Sequence, residues 1–166
     1  MKELHDIAAS LINADGSCRD INFEAPTWEG VEDLMANLIG SYGNASATDG
    51  EGRTVATLPN ALLETARDIG SVHLILREGS GLIKFLQVFV FSEEDGAPFV
   101  ELTFFPDDVE RTPTLRGDFI EWANTMRARL GARRYYARYE NVSWQFGDTG
   151  ANSGVFLVSD EADANT

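Results

Sequence analysis

Hydrophobic residues along this chain recur with two periods. Between residues 28 and 39 the apolar positions Trp28, Val31, Leu34, Met35, Leu38 and Ile39 follow one another at intervals of three and four, the stripe of an amphipathic helix. Thr27 is placed to cap that helix and Gly40 to stop it. A second stripe, Phe119, Ala123, Met126 and Leu130 flanked by Trp122, predicts a helix over residues 117–130 that ends at Gly131.

The other period is two. Residues 71–78, 82–92 and 97–105 are aromatic and β-branched runs, separated by Gly79-Ser80-Gly81, read as a hairpin turn, and by Glu93-Glu94-Asp95-Gly96. Connections that short predict an antiparallel meander. In the middle run both alternating sets are apolar: Leu82, Leu86, Val88 and Val90 on one side, Ile83, Phe85, Phe89 and Phe91 on the other. Such a strand is expected to be covered on both faces, by helices on one side and by helices, a second sheet layer or another subunit on the other. Residues 134–146 alternate as a further strand, and residues 147–154 turn into a last one over 155–159.

The remaining segments are less periodic. Residues 7–23 fit two strands joined by the turn Ala14-Asp15-Gly16, while Leu4, Ile7, Ala8, Leu11 and Ile12 also fit a helical stripe. Residues 41–52, rich in Gly, Ser, Asn and Asp, predict a loop, followed by a short strand over 53–58 and a helical turn or two over 60–67. No repeat or linker divides the chain. The expected fold is one α+β domain over residues 1–166, mainly an antiparallel meander with two principal amphipathic helices packed on it, and an acidic tail at 160–166 that frays.

Composition narrows the function classes. A length of 166 residues and an apolar fraction of 43% suffice for one core without staples. Cys18 is the only cysteine, which suits a reducing cytoplasm, and the first residues carry acids where a secretory signal would carry bases. No run reaches the ~18 apolar residues a membrane span needs. The net charge of −14 repels free nucleic acid and the anionic membrane leaflet. Seven arginines lie within residues 111–138 against two acids, so that segment is +5 and the rest of the chain −19. Bases and aromatics interleave from Arg133 to Tyr139 as in single-strand nucleic-acid sites, but so acidic a body supplies carboxylates for them internally.

Groups for bond-making are scarce. His5 is terminal and His73 sits on a strand among aliphatic neighbours. Cys18 has only Arg19 beside it to lower its pKa and reads as an inert thiol. Asp107, Asp108 and Glu110 could ligate a hard cation, yet their spacing matches no calcium or two-metal signature, and Gly147, Gly150 and Gly154 lack the lysine and helix of a phosphate loop. Neither a cofactor nor a metal is implied, and no catalytic residue is assigned. The acids Glu93, Glu94 and Asp95 at one turn and Asp107, Asp108 and Glu110 at another lie at opposite ends of one strand, and are the candidate contacts for a basic partner.

In general character the chain resembles the small acidic immunity proteins that bacteria pair with secreted toxins. Its segment Leu-Ile-Asn-Ala-Asp-Gly-Ser-Cys-Arg-Asp-Ile-Asn-Phe from Leu11, with Thr27-Trp28-Glu29-Gly30-Val31-Glu32, has the look of such families' N-terminal region. That resemblance implies a cytoplasmic, non-enzymatic binding protein that occludes the active site of a basic toxin, a nuclease suiting the charge best, with carboxylates in place of substrate phosphates. A homodimer is compatible with the doubly apolar strand. The other class is a small-molecule-binding or enzymatic domain, with a pocket between the sheet and the Trp28 or Trp122 helix and with His73, Arg77 and Tyr136 as its polar groups.

Overall fold

A computed structural model describes residues 6–140 and 144–159. Asp6 opens the first helix, α1 (Ile7–Ile12), by accepting the Ala9 N–H at 3.1 Å. Then follow β1 (Arg19–Glu24), α2 (Trp28–Ser41), β2 (Tyr42–Asp49), the two-residue β3 (Thr54–Val55) and α3 (Pro59–Asp68). The meander β4 (Ser71–Gly79), β5 (Leu86–Ser92) and β6 (Pro98–Phe104) leads through a 3-10 turn at Pro106–Asp108 to α4 (Leu115–Arg129), β7 (Arg134–Tyr139) and β8 (Val155–Val158). One eight-stranded sheet runs in the order β3-β2-β4-β5-β6-β1-β7-β8. Every pairing is antiparallel. The expected α+β architecture, mainly a meander sheet, is the one observed.

Both expected helices form, and α2 does so for the expected reason: the Thr27 hydroxyl accepts the Gly30 N–H at 2.9 Å. Its buried stripe, Val31, Leu34, Met35 and Leu38, joins Phe119, Ala123 and Met126 of α4 and Leu62 and Ala66 of α3 in one core. That core rests on one face of the sheet, made by Val72, Leu74 and Leu76 of β4, Leu86, Val88 and Val90 of β5, Val100, Leu102 and Phe104 of β6, and Ile21 and Phe23 of β1. The Phe104 ring meets Phe119 at 6.0 Å and Trp122 edge-on at 6.4 Å. Where α2 begins and α4 ends the backbones nearly touch, since a Cβ on Gly30 would overlap the Leu130 carbonyl.

Four expectations are corrected. Residues 42–49 form strand β2 and not a loop, paired with β4 from Tyr42 opposite Gly79 to Asp49 opposite Val72. The turn-forming residues are overruled because β4 supplies partners for their backbone groups. Of the two readings of residues 7–23, a helix followed by a strand is correct. Gly79-Ser80-Gly81 is no tight hairpin: β5 starts only at Leu86, and Ile83 bridges to Val109 on the way. Finally, among the described residues helices cover only one face of β5, and neither a second set of helices nor a second sheet layer covers the other. Residues 141–143 and the tail 160–166 lie outside the described residues.

Candidate functional site

The second face of the sheet carries the alternate residues of the same strands, and no described helix packs on it. Register aligns them in rows. One row runs Thr48, His73, Phe89, Glu101, Asn22, Tyr136, and the next runs Ser46, Ile75, Gln87, Thr103, Asp20, Arg138. A third holds Ser71, Phe91 and Phe99. The face therefore divides into an aromatic half over β4 to β6 and a polar half over β1 and β7.

In the aromatic half four rings follow one another. His73 stacks on Phe89 at 4.1 Å, Phe89 lies 6.5 Å from Phe91 and nearly parallel to it, and Phe91 meets Phe99 at 6.0 Å. Phe91 is 41% exposed. His73 Nε2 and Gln87 Oε1 are hydrogen-bonded at 2.9 Å, with the ring nitrogen as donor to the amide oxygen. Burial pushes the His73 pKa down, so its imidazole is neutral at pH 7 and adds no cation to the row.

The polar half is closed on itself. Thr103 donates its hydroxyl to Asp20 at 2.8 Å, Arg138 reaches Asp20 at 3.2 Å and donates to Asn22 at 3.0 Å, and Asn22 donates to Glu101 at 2.8 Å. Glu24 accepts from the Tyr136 hydroxyl and pairs with Arg133 and Arg134. Burial, and then repulsion from Glu101, raise the Asp20 carboxyl to about 6 against the pull of Thr103 and Arg138. Trp144 lies over the Arg138 guanidinium at 4.9 Å, and Trp144 and Phe146 each meet the Tyr136 ring at 5.8 Å. This half is roofed by the chain itself; among the described residues nothing roofs the aromatic half.

The six acids singled out from the sequence do not form one patch. Glu93, Glu94 and Asp95 are exposed in the β5–β6 turn, where Asp95 accepts the Ala97 N–H and the Trp28 indole donates to the Gly96 carbonyl at 2.8 Å. Asp107 and Asp108 lie in the 3-10 turn at the far end of β6, and Glu110 beyond it pairs with Lys84 at 2.9 Å. Burial and the neighbouring Asp107 push the Asp108 pKa up. Only the first cluster adjoins the open face, where Glu93 and Asp95 rim a cleft of about 240 Å³ walled by Phe99 and Phe146.

Other candidates separate. Arg129, Arg133, Arg134 and Arg138 all meet carboxylates within the chain, as so acidic a body predicts. Cys18 is buried, with its thiol pushed up to about 12 by burial and by Glu140. His73 is held by Gln87, Arg77 lies over Phe85 and Tyr136 donates to Glu24, so these three do not converge. The cleft beside Trp122, about 240 Å³, is lined by residues such as Asn37, Tyr42 and Ile83 and by none of them. Among the described residues no three His, Cys, Asp or Glu side chains are grouped to hold a metal, and no helix is long and apolar enough to cross a membrane.

Sequence reasoning does not single out the aromatic row. Its signal is the doubly apolar alternation of β5, for which the sequence offers helices, a second sheet layer or another subunit as cover.

No protein-family model matches the chain, and no curated protein does. Its fold is similar to a chain in the 1.75 Å crystal structure of the toxic C-terminal tip of CdiA from Pseudomonas aeruginosa in complex with immune protein. The two share 13% identity over 86% of this chain and 94% of that one, with a TM-score of 0.55. At that identity the likeness is one of fold: the chain has the architecture of a component of a toxin–immunity complex.

Proposed function

We propose that the chain is an immunity-type binding protein that neutralises a toxin by covering its active site. The observation that carries this reading is a sheet with helices on one face and half of the other bare, in a fold shared with a component of a complex between a toxic tip and its immune protein. A bare aromatic sheet face is costly to keep in water unless something covers it. The absence of a converging nucleophile, base or acid among His73, Cys18 and Tyr136 favours binding over catalysis.

The net charge of −14 gives the partner its sign. A basic toxin, of the kind that handles nucleic-acid phosphates, is drawn to such a surface, and carboxylates occupy the arginines and lysines that would hold its substrate. Glu93, Glu94 and Asp95 on one rim and Asp107, Asp108 and Glu110 on the other act as steering charges, and the complex forms in the cytoplasm.

Co-expression with the toxin-like protein encoded beside this chain tests the reading. A one-to-one complex and restored growth are expected. Expression of the chain alone is expected to leave growth unchanged, which separates an inhibitor from a toxic component. Growth arrest by the chain alone, or a neighbouring toxin that it neither binds nor silences, would overturn the assignment.

A further inference from the structure

Resting on that reading, we infer that the toxin docks on the aromatic half of the open sheet face, over Phe89, Phe91 and Phe99, and inserts an arginine side chain beside Glu101. The apolar part of the case is the ring row itself. His73, Phe89, Phe91 and Phe99 form a continuous surface across three central strands, with Phe91 at its most exposed point. Rigid aromatics at the middle of a patch are the residues on which binding energy concentrates, because their burial costs little side-chain entropy.

The charge around the row selects the anchor. Glu101 stands directly opposite Phe89 in the register. The cation nearest to it, Arg138, is 3.7 Å away and directed more closely to Asp20 at 3.2 Å. The far side of the row opens into the cleft between Phe99 and Phe146, whose rim carries Glu93 and Asp95. A side chain laid across these rings therefore meets apolar rings below it and carboxylates at both sides. Arginine meets both demands, since its methylene stem packs on apolar surface and its guanidinium fork matches a carboxylate. The face's own Arg134 and Arg138 are committed to Glu24 and Asp20.

A second copy of the chain is a poor occupant. Each copy carries −14, so apposing two such faces sets carboxylate rims against each other.

The inference is tested by titrating the purified, catalytically inactivated neighbouring toxin against wild type and three variants, with circular dichroism confirming the fold of each. Phe89→Ser with Phe91→Ser should weaken binding by about 100-fold or more, as loss of a central anchor pair does. Glu101→Gln should weaken it by roughly 10-fold, and Glu64→Gln with Asp68→Asn, exposed on α3 on the helical side of the sheet, by no more than about 3-fold. Should the double phenylalanine variant fail to fold, Phe91→Ser alone takes its place. If wild type does not bind the toxin, the functional reading itself falls. If wild type binds and the face variants bind equally well, the docking face is wrong while the function stands. Loss on the phenylalanine changes with none on Glu101→Gln removes the arginine. A wild-type dimer in solution that those phenylalanine changes convert to monomer would give the face to a second copy.

Discussion

Strand β5 shows two solutions to the same composition. Toward the helices it presents Leu86, Val88 and Val90, at 0%, 0% and 1% exposure. Toward the other side it presents Gln87, Phe89 and Phe91, the last 41% exposed, with rings that lie on their neighbours and not under a helix. Both sides read as apolar, but they differ in shape. Branched aliphatics interdigitate with the side chains of α2, α3 and α4 and are sealed by them, whereas the parallel rings pack on one another and leave Phe91 partly in water. Apolar character and burial within the chain are thus separable along one strand.

Charged residues follow the same division, and the largest expected effect lies on the covered side. Arg19, fully buried, projects from β1 with Ile21 and Phe23. Its guanidinium donates to the carbonyls of Ser10 at 2.6 Å and Asn13 at 2.8 Å, to the Ser17 hydroxyl at 2.9 Å and to Asp15, and it lies 4.2 Å over the Tyr139 ring. It ties the end of α1 to the sheet and supplies a donor to the buried Ser10 carbonyl. Arg19→Met leaves those acceptors without donors and should cost about 3–5 kcal/mol, read as a lower urea midpoint. A loss under about 1 kcal/mol would mean that water replaces the guanidinium.

The contrast between the two faces is sharpened by one truncation on each. Leu102→Ala opens a cavity under the helices and should cost about 2–5 kcal/mol. Phe91→Ser removes a larger side chain from the opposite side of the neighbouring strand, yet should cost no more than about 1 kcal/mol, since much of that ring is in water already. Urea unfolding of the two variants in parallel checks the pair. Equal losses would show that the row of rings is core and not surface, and would remove the docking face with it.

Much of the covered face was legible in sequence, because local signals and tertiary packing agree there. Thr27 caps α2 as its type suggests, and the stripes Val31 to Leu38 and Phe119 to Met126 point into the core. Residues 42–49 were illegible: Gly43, Asn44 and Ser46 carry local turn chemistry, and only the presence of β4 alongside makes a strand of them. The candidate site was half legible. Charge alone singles out Glu93, Glu94 and Asp95, two of which line the cleft beside Phe99, but alternation in β5 cannot distinguish a face sealed by its own chain from one left open. Nor could the sequence say that Asp107, Asp108 and Glu110 stand at the rim beyond the other end of β6, away from the rings.

Asp20 gives the smallest expected effect and the one most specific to the polar half. Its carboxyl titrates at about 6 in the folded chain against 3.8 for an ordinary aspartate, with burial the main cause and Glu101 the second. Between those two values the folded state holds a proton that the unfolded state has released. Asp20 therefore contributes most to stability below pH 4, and that contribution is lost as the pH rises through 6. Asparagine keeps the acceptor for Thr103 but has no proton to lose. The stability of Asp20→Asn relative to wild type should thus rise by on the order of 1 kcal/mol between pH 4 and pH 7 and then level off. Other titrating groups, such as Asp15, held at about 2 by its hydrogen bonds to Ser17, are common to both proteins and cancel in the difference. Paired urea titrations across that range read the effect directly. A difference independent of pH would show that Thr103 and Arg138 hold the Asp20 charge as well as water does, so that closing the polar half costs that carboxylate nothing.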